Sequence, residues 1–423
     1  MRTSLTLFFA ALALTACAAK APLSLQVVDS EMTRNPEASY IDGLNGKLKW
    51  NYTTGLELKA MLDAAEIGGI SPLASLGRND SSVISSEVER SNDNAVISSE
   101  VERSPILSYV DAWYDAIIAE DGTIGVNYKK SNYSTDHVCP GRTLFQLYDI
   151  TGKEKYRKAM DELYGQIKEH PRTLEGGFWH KKIYPNQMWL DGLYMMQPFY
   201  AEYASRYLSG VEQAACFADI AHQFKLVAEK TFDSRTGLLR HAWDSSHDMF
   251  WCDKTTGQSA HAWGRALGWY VMALVDVIEI LPVREERAGL ESILQSIYEV
   301  LPRYADPKTG MWYQVLDCPG REGNYLEATC NAMFVYAWLK GIRLGCLDGL
   351  EDAKAAYLSM LDTFVTIDED GLVNLNQCCE VAGLGGKENR SGDYDYYINE
   401  RVRANDPKGI GPLIWAALEY ERL

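Results

Sequence analysis

A short turn signature recurs along this chain, and it limits the possible folds more than any single segment does. It reads Asp233-Ser-Arg-Thr-Gly237-Leu-Leu and Asp306-Pro-Lys-Thr-Gly310-Met-Trp, with looser copies at Asp121-Gly122 and Asp370-Gly371. Aspartate and glycine close turns, the first through its side chain and the second by tolerating positive φ, and each copy feeds a brief extended run. Between the copies, apolar residues spaced i, i+3, i+4 predict helices over 148–167, 190–208, 211–231, 261–280, 290–304, 331–344, 350–365 and 411–420. The turns recur at one or two helical-hairpin lengths, which implies a repeated helix–turn–helix unit. About six such hairpins can close into a double ring, so the expected fold is all-α, an (α/α)6 barrel. Gly192, Gly264, Gly268 and Gly411 fall on the expected inner helices, where they allow close packing. An open helical solenoid is the competing architecture.

The first residues are not expected to belong to that barrel. An apolar run from Leu5 to Leu14 leads into Leu14-Thr15-Ala16-Cys17, which reads as a lipoprotein signal over residues 1–17 with Cys17 as the acylated anchor. Residues 18–45 read as a linker and 46–423 as the barrel domain. Residues 79–91 and 92–104 are a tandem repeat (NDSSVISSEVERS, NDNAVISSEVERS), so about 70–104 is a low-complexity insertion. No later stretch is apolar for ~18 residues, so contact with a membrane would be through the N-terminal lipid alone. The expected location is therefore the bacterial periplasm or outer membrane. A net charge of −17 argues against nucleic acid as a partner. The eight cysteines after Cys17 lack metal-site or disulfide-framework spacing and read mostly as buried thiols, with Cys378-Cys379 the first exception to consider.

Chemistry concentrates in four strings. In Gln187-Met-Trp-Leu-Asp191-Gly-Leu-Tyr-Met195 a lone carboxylate sits among apolar and aromatic residues, where desolvation disfavours the charged form. Asp191 is therefore the candidate general acid. With Pro185 opening a helix, Met188, Asp191, Gly192 and Met195 would share one face. Asp136 lies just before Pro140, so a helix N-terminus there would favour its ionised form. Two carboxylates pushed apart in this way can divide acid and base roles. On a helix, His261, Arg265, Gly268 and Trp269 would share a face, setting the Arg265 guanidinium beside indoles. A guanidinium grips a carboxylate with two hydrogen bonds and aromatic faces pack on sugar C–H surface, which suits an anionic sugar. His241, His180 and Lys181 would complete a locally positive pocket. No metal set, HExxH motif or phosphate loop is present in the sequence, and no cofactor is expected.

The strings EGGFWHK, YPNQMWLDGLYM, TGLLRHAWD and AWGRALGWYVMALVD, in this order, resemble those of glycoside hydrolase family 105, the unsaturated rhamnogalacturonyl hydrolases. The resemblance runs from about Trp50 to the C-terminus and implies the same (α/α)6 barrel. It also implies action on an acidic oligosaccharide, left by a lyase, whose terminal uronic acid carries a C4=C5 double bond. The family's acid matches Asp191, and its second carboxylate matches Asp136. Sugar-contacting positions match His241, Trp263 and Arg265, with lesser matches at Trp189, His180, Lys181 and Tyr52. An inverting glycosidase on saturated acidic glycans and a lipid-anchored glycan-binding protein are the alternative functions.

Overall fold

A computed structural model describes residues 21–66 and 104–423. Cys17, the signal peptide and nearly all of the 70–104 insertion lie outside the described residues. Six helices form a closed inner ring: α2 (Tyr52–Ala65), α4 (Arg142–Thr151), α6 (Leu190–Tyr207), α8 (Gly264–Ile280), α10 (Ala328–Arg343) and α13 (Pro407–Glu421), with α13 packed back on α2. Six more pack outside them: α1 (Leu23–Arg34), α3 (Pro105–Ile117), α5 (Glu154–Glu169), α7 (Gly210–Thr231), α9 (Glu285–Val300) and α11 (Leu350–Phe364). A short α12 (Tyr394–Asn399) precedes α13. This is the expected (α/α)6 barrel.

Sequence character separates the two rings. In α8 every residue from Gly264 to Ile278 is buried, as in a helix packed on all sides, whereas α9 buries only Leu290, Leu294 and Ile297, a single stripe. Inner helices approach closely where glycine permits it. A Cβ at Gly268 would lie 2.7 Å from Met333 Sδ on α10.

The recurrent turn is built as its chemistry requires. The Asp306 carboxylate accepts from the Lys308 and Thr309 N–H groups at 3.1 and 3.0 Å, while Gly310 takes φ +71° and donates to the Asp306 carbonyl at 2.7 Å. Asp233 and Gly237 repeat the arrangement, and so does a third copy, Asp253 to Gly257, that the sequence reading passed over. Each turn is flanked by a bridge, Phe232 with Leu239, Ala305 with Trp312 and Cys252 with Ser259.

Several boundaries differ from expectation. The segment expected as an 18–45 linker holds α1, pinned to the last helix by Ser24, whose N–H and hydroxyl donate to the Glu421 carboxylate at 3.0 and 2.6 Å. The helix expected over 148–167 is two helices, α4 and α5, because Gly152 at φ +65° ends the first in a left-handed cap. Pro185 opens no helix: residues Gln187–Trp189 form strand β1, paired antiparallel with β2 (Ala242–Asp244), and α6 begins only at Leu190. His261 precedes α8 instead of lying on it, so it shares no helical face with Arg265. Cys378 and Cys379 are buried free thiols in a two-residue strand, and the other six described cysteines are also unbridged.

The two ends of the barrel differ. At the C-terminal ends of the inner helices lies a cavity of about 1350 Å3 in which several charges pair: Arg142 and Lys340 on Asp276, both at 2.8 Å, and Arg343 on Glu419 at 2.6 Å. Adding a methyl at Gly268 should overpack the α8–α10 contact. Gly268→Ala is expected to lose about 1–3 kcal/mol in urea unfolding, and an unchanged midpoint would mean that the two helices are not so closely held.

Candidate active site

The other end collects the N-termini of the inner helices, and the β1–β2 pair places the central residues there. Trp189 lies opposite Ala242, and the Leu190 N–H donates to the His241 carbonyl at 3.0 Å. The next residue on one side is Asp191 and the residue on the other is His241, so a single strand pairing brings together side chains 50 positions apart. Asp191 Oδ2 stands 3.2 Å from His241 Nε2. The approach is off-axis, and among the described residues neither atom has a hydrogen-bond partner.

His241 is wholly buried, and its orientation is fixed from behind. Its Nδ1 lies 2.7 Å from Tyr397 Oη. Burial pushes the Tyr397 phenol far above its ordinary range, with Tyr396 and Asp191 adding to the effect. The phenol therefore keeps its proton, and its hydrogen bond with Nδ1 fixes the ring so that Nε2 faces Asp191. Trp263 stacks on Tyr397 at 5.9 Å and donates its indole N–H to Gln314 Oε1 at 3.0 Å, while Gln314 Nε2 donates to the Tyr397 carbonyl at 3.2 Å. Trp263 is thus a wall behind His241.

Asp136 sits on a 3-10 turn, Thr135–His137, and not at the foot of an α-helix. Its ionisation has another cause than a helix dipole: Lys181 Nζ lies 2.5 Å from Oδ2, and His180 Nε2 lies 3.8 Å from Oδ1. Burial works to raise its pKa, but the Lys181 ammonium and then His180 outweigh it and hold the carboxyl below the usual range. His180 is held neutral, its pKa lowered to about 3 by burial and by the adjacent Lys181. Its ring stacks on Trp189 at 4.4 Å, and Tyr184 continues the stack at 5.1 Å from Trp189. Gly192 makes room for that ring, since a Cβ there would meet His180 Nδ1 at 3.1 Å.

Asp136 and Tyr52 line a cavity of about 410 Å3 at this end, together with Asp42, Lys49, Arg403 and Lys408. Tyr52 meets Trp269 edge-on at 6.3 Å, and burial keeps its phenol protonated, with Asp136 adding to the effect.

Arg265 is the main departure. It does lie beside Trp263, at 5.5 Å, but it is 1 % exposed and its Nη2 is held by Glu327 Oε1 at 3.1 Å, Thr329 Oγ1 at 3.3 Å and the Cys379 carbonyl. Its guanidinium ties α8 to the cap of α10, where Glu327 accepts from the Cys330 N–H at 2.7 Å, and does not project toward a ligand. The sequence reading also missed Tyr397, Gln314 and Glu327. The tyrosine-rich string Asp393-Tyr-Asp-Tyr-Tyr-Ile was a signal for the first, but no spacing tied it to His241. His261, Asp317 and Cys318 come within 4.8 Å of one another although 56 residues separate His261 from Asp317.

Residues 96–423 match the sequence description of Glycosyl Hydrolase Family 88. A family 105 glycoside hydrolase structure from C. acetobutylicum ATCC 824 superposes with a TM-score of 0.82 at 41% identity, covering 95% of this chain and 100% of that one. The 24.9 kDa protein in picA locus of Rhizobium radiobacter is 40% identical over 211 residues, 48% of this chain and 89% of its own length. A more distant structure, the unsaturated glucuronyl hydrolase of Bacillus sp. GL1, shares the fold at 12% identity and a TM-score of 0.54, covering 94% of this chain and 95% of that one.

Lys181 should govern the charge on Asp136. A carboxylate with a lowered folded-state pKa stabilises the fold above its unfolded value near ~4 and loses that contribution as pH falls through the folded value. Lys181→Met is therefore expected to destabilise most near neutral pH and progressively less below pH ~4. Chemical denaturation across pH checks this, and a pH-independent loss would contradict it.

Proposed function

Since the chain belongs to glycoside hydrolase family 105 and carries the Glycosyl Hydrolase Family 88 sequence pattern, we propose that it removes a 4,5-unsaturated uronic acid from the non-reducing end of lyase-generated oligosaccharides of the rhamnogalacturonan or pectin type. The observation that carries this reading is the Asp191 carboxyl, at the start of α6, standing 3.2 Å from Nε2 of the buried His241 imidazole.

The C4=C5 bond of such a sugar is an enol ether, and protonation at C4 leaves a cation at C5 that the ring oxygen stabilises. Asp191 supplies that proton. Water then adds at C5 and gives its own proton to the resulting Asp191 carboxylate, restoring the acid. The C5 hemiketal opens, freeing the C1 hydroxyl, and the aglycone leaves as C1 becomes an aldehyde. No group attacks C1, so the carboxylate separation that sorts inverting from retaining glycosidases does not apply. His241 stands 3.2 Å from one oxygen of Asp191, and the other oxygen carries the proton. Asp136, ionised beside Lys181, takes sugar hydroxyls as an acceptor.

With Arg265 held by Glu327, recognition of the substrate carboxylate falls to Lys181 at the edge of the site and to Lys49, which is exposed on the Asp136 cavity. Tyr184, half-buried at the outer edge of the stack on Trp189, offers the apolar face. The Bacillus sp. GL1 enzyme, responsible for the degradation of glycosaminoglycan, acts on an unsaturated glucuronyl end within the same fold, which supports this chemistry for the barrel. No cofactor enters the reaction. We also propose export and tethering through an acylated Cys17, with Cys17→Ser expected to move the protein from the membrane to the soluble fraction.

Lyase-digested rhamnogalacturonan should lose its alkene ultraviolet absorbance when mixed with the protein, while the saturated oligosaccharide remains uncut. Asp191→Asn is expected to lower that rate by at least ~100-fold, the low end of general-acid contributions, with oligosaccharide binding retained. Cleavage of saturated glycans at a similar rate would favour an inverting glycosidase, and binding without loss of the alkene would favour a glycan-binding protein.

A further inference from the structure

Outside the Asp191 centre, the fold assembles a mixed nitrogen, oxygen and sulfur donor set that neither the sequence spacing nor the family match assigns. His261 Nδ1 lies 2.9 Å from Asp317 Oδ2 and 3.8 Å from Cys318 Sγ, and all three donor atoms fall within 4.8 Å of one another. All three residues are partly exposed, so an ion can reach them. We propose that His261, Asp317 and Cys318 form a binding site for a thiophilic divalent cation of the zinc class.

Zinc bonds of about 2.0–2.1 Å to nitrogen and 2.3 Å to sulfur, in tetrahedral geometry, place nitrogen and sulfur donors ~3.6 Å apart and nitrogen and oxygen donors ~3.3 Å apart. The observed nitrogen–sulfur and nitrogen–oxygen separations differ from these by a few tenths of an ångström, and the oxygen and sulfur donors lie within 4.8 Å of each other, all within reach of side-chain rotation. One thiolate with one imidazole and one carboxylate is a borderline-soft set, which excludes magnesium and calcium as preferred ions. Three protein donors leave the fourth position to water.

The surroundings orient these donors. Asp317 Oδ1 accepts from the Ala262 N–H at 3.1 Å, which leaves Oδ2 toward the site. The Asn324 side chain donates to the Val315 and Cys318 carbonyls at 2.9 and 2.7 Å and so fixes the turn carrying the two ligands. Burial and then Asp317 hold the Cys318 thiol above its ordinary range, and Arg321, 3.6 Å over the Tyr394 ring, opposes them. On binding, the thiol proton leaves to solvent and the imidazole hydrogen moves from Nδ1 to Nε2, so one proton is released per ion.

The site would bind the segment before α8 to the segment before α10. The His261 carbonyl accepts from the His241 N–H at 3.2 Å, and the Leu316 N–H donates to the Ala262 carbonyl at 2.9 Å. An ion here therefore clamps the layer that holds His241, Trp263 and Gln314, without touching substrate. The proposal does not depend on which sugar the enzyme takes.

The test uses purified protein freed of metal and titrated with Zn2+ and with Co2+. Among the described cysteines Cys318 is the one not buried, so a thiol reagent should find it first. One equivalent of Zn2+ is expected to protect that thiol and raise the melting temperature, and Co2+ should give a thiolate-to-cobalt band in the near ultraviolet. Mg2+ and Ca2+ should do neither. Cys318→Ser, folded by circular dichroism, should abolish the band and weaken Zn2+ binding at least ~tenfold, since losing even an outer partner of a metal ligand costs roughly 10–100-fold. His261→Gln serves as the second variant. Absence of protection and of the cobalt band in the parent protein, or unchanged affinity in both variants, would overturn the proposal.

Discussion

The strand pairing of Gln187–Trp189 with Ala242–Asp244 is the constraint on which the rest of the site depends. It is only three residues long, yet it sets the register at which α6 begins and thereby the one position from which a carboxyl can meet His241. A slip of one residue would turn the side chains of β1 to the opposite face and remove Trp189 from its stack on His180. The barrel supplies what so short a pair cannot supply for itself, a rigid frame around it. That frame is held at the same end by the buried Arg265–Glu327 pair, which joins α8 to the cap of α10 and to the strand carrying Cys379. Breaking such a pair by removing one partner strands an uncompensated charge and typically costs about 3–5 kcal/mol, so these groups act as fasteners.

The protein's electrostatics follow the same division. A net charge of −17 is compatible with an anionic ligand because the charges are unevenly arranged. At the far end, Asp276 is compensated by Arg142 and Lys340. At the mouth, burial and neighbours set distinct states on adjacent groups: His180 neutral, Asp136 ionised, Tyr397 protonated. These are the conditions under which one carboxyl can serve as a proton carrier while another accepts hydrogen bonds.

Local features survived the passage from sequence to structure, and relations between distant segments did not. Helices such as α6 and α7 were legible because their apolar spacing is strong, and the Asp-to-Gly turns because the chemistry that closes them lies within five residues. Asp191 stood out as a lone acid among aromatics. The strand before α6 was not legible, because Pro185 satisfies a local rule for opening a helix that β-pairing overrides. Arg265 looked like a ligand for an anion because the sequence hides Glu327, 62 residues away, which occupies it. Tyr397 and the His261–Asp317–Cys318 group were illegible for the same reason: each is created by contact between loops that no periodicity connects.

Proton NMR of the reaction tests the central claim most directly, because the vinylic hydrogen at C4 reports where the proton goes. With a lyase-generated disaccharide as substrate, the C4 vinylic signal should vanish in step with release of the aglycone, and no free sugar bearing an intact double bond should accumulate. Appearance of the free unsaturated monosaccharide, with its vinylic signal preserved, would show that the glycosidic bond is cut at C1 and that Asp191 does not act on the alkene.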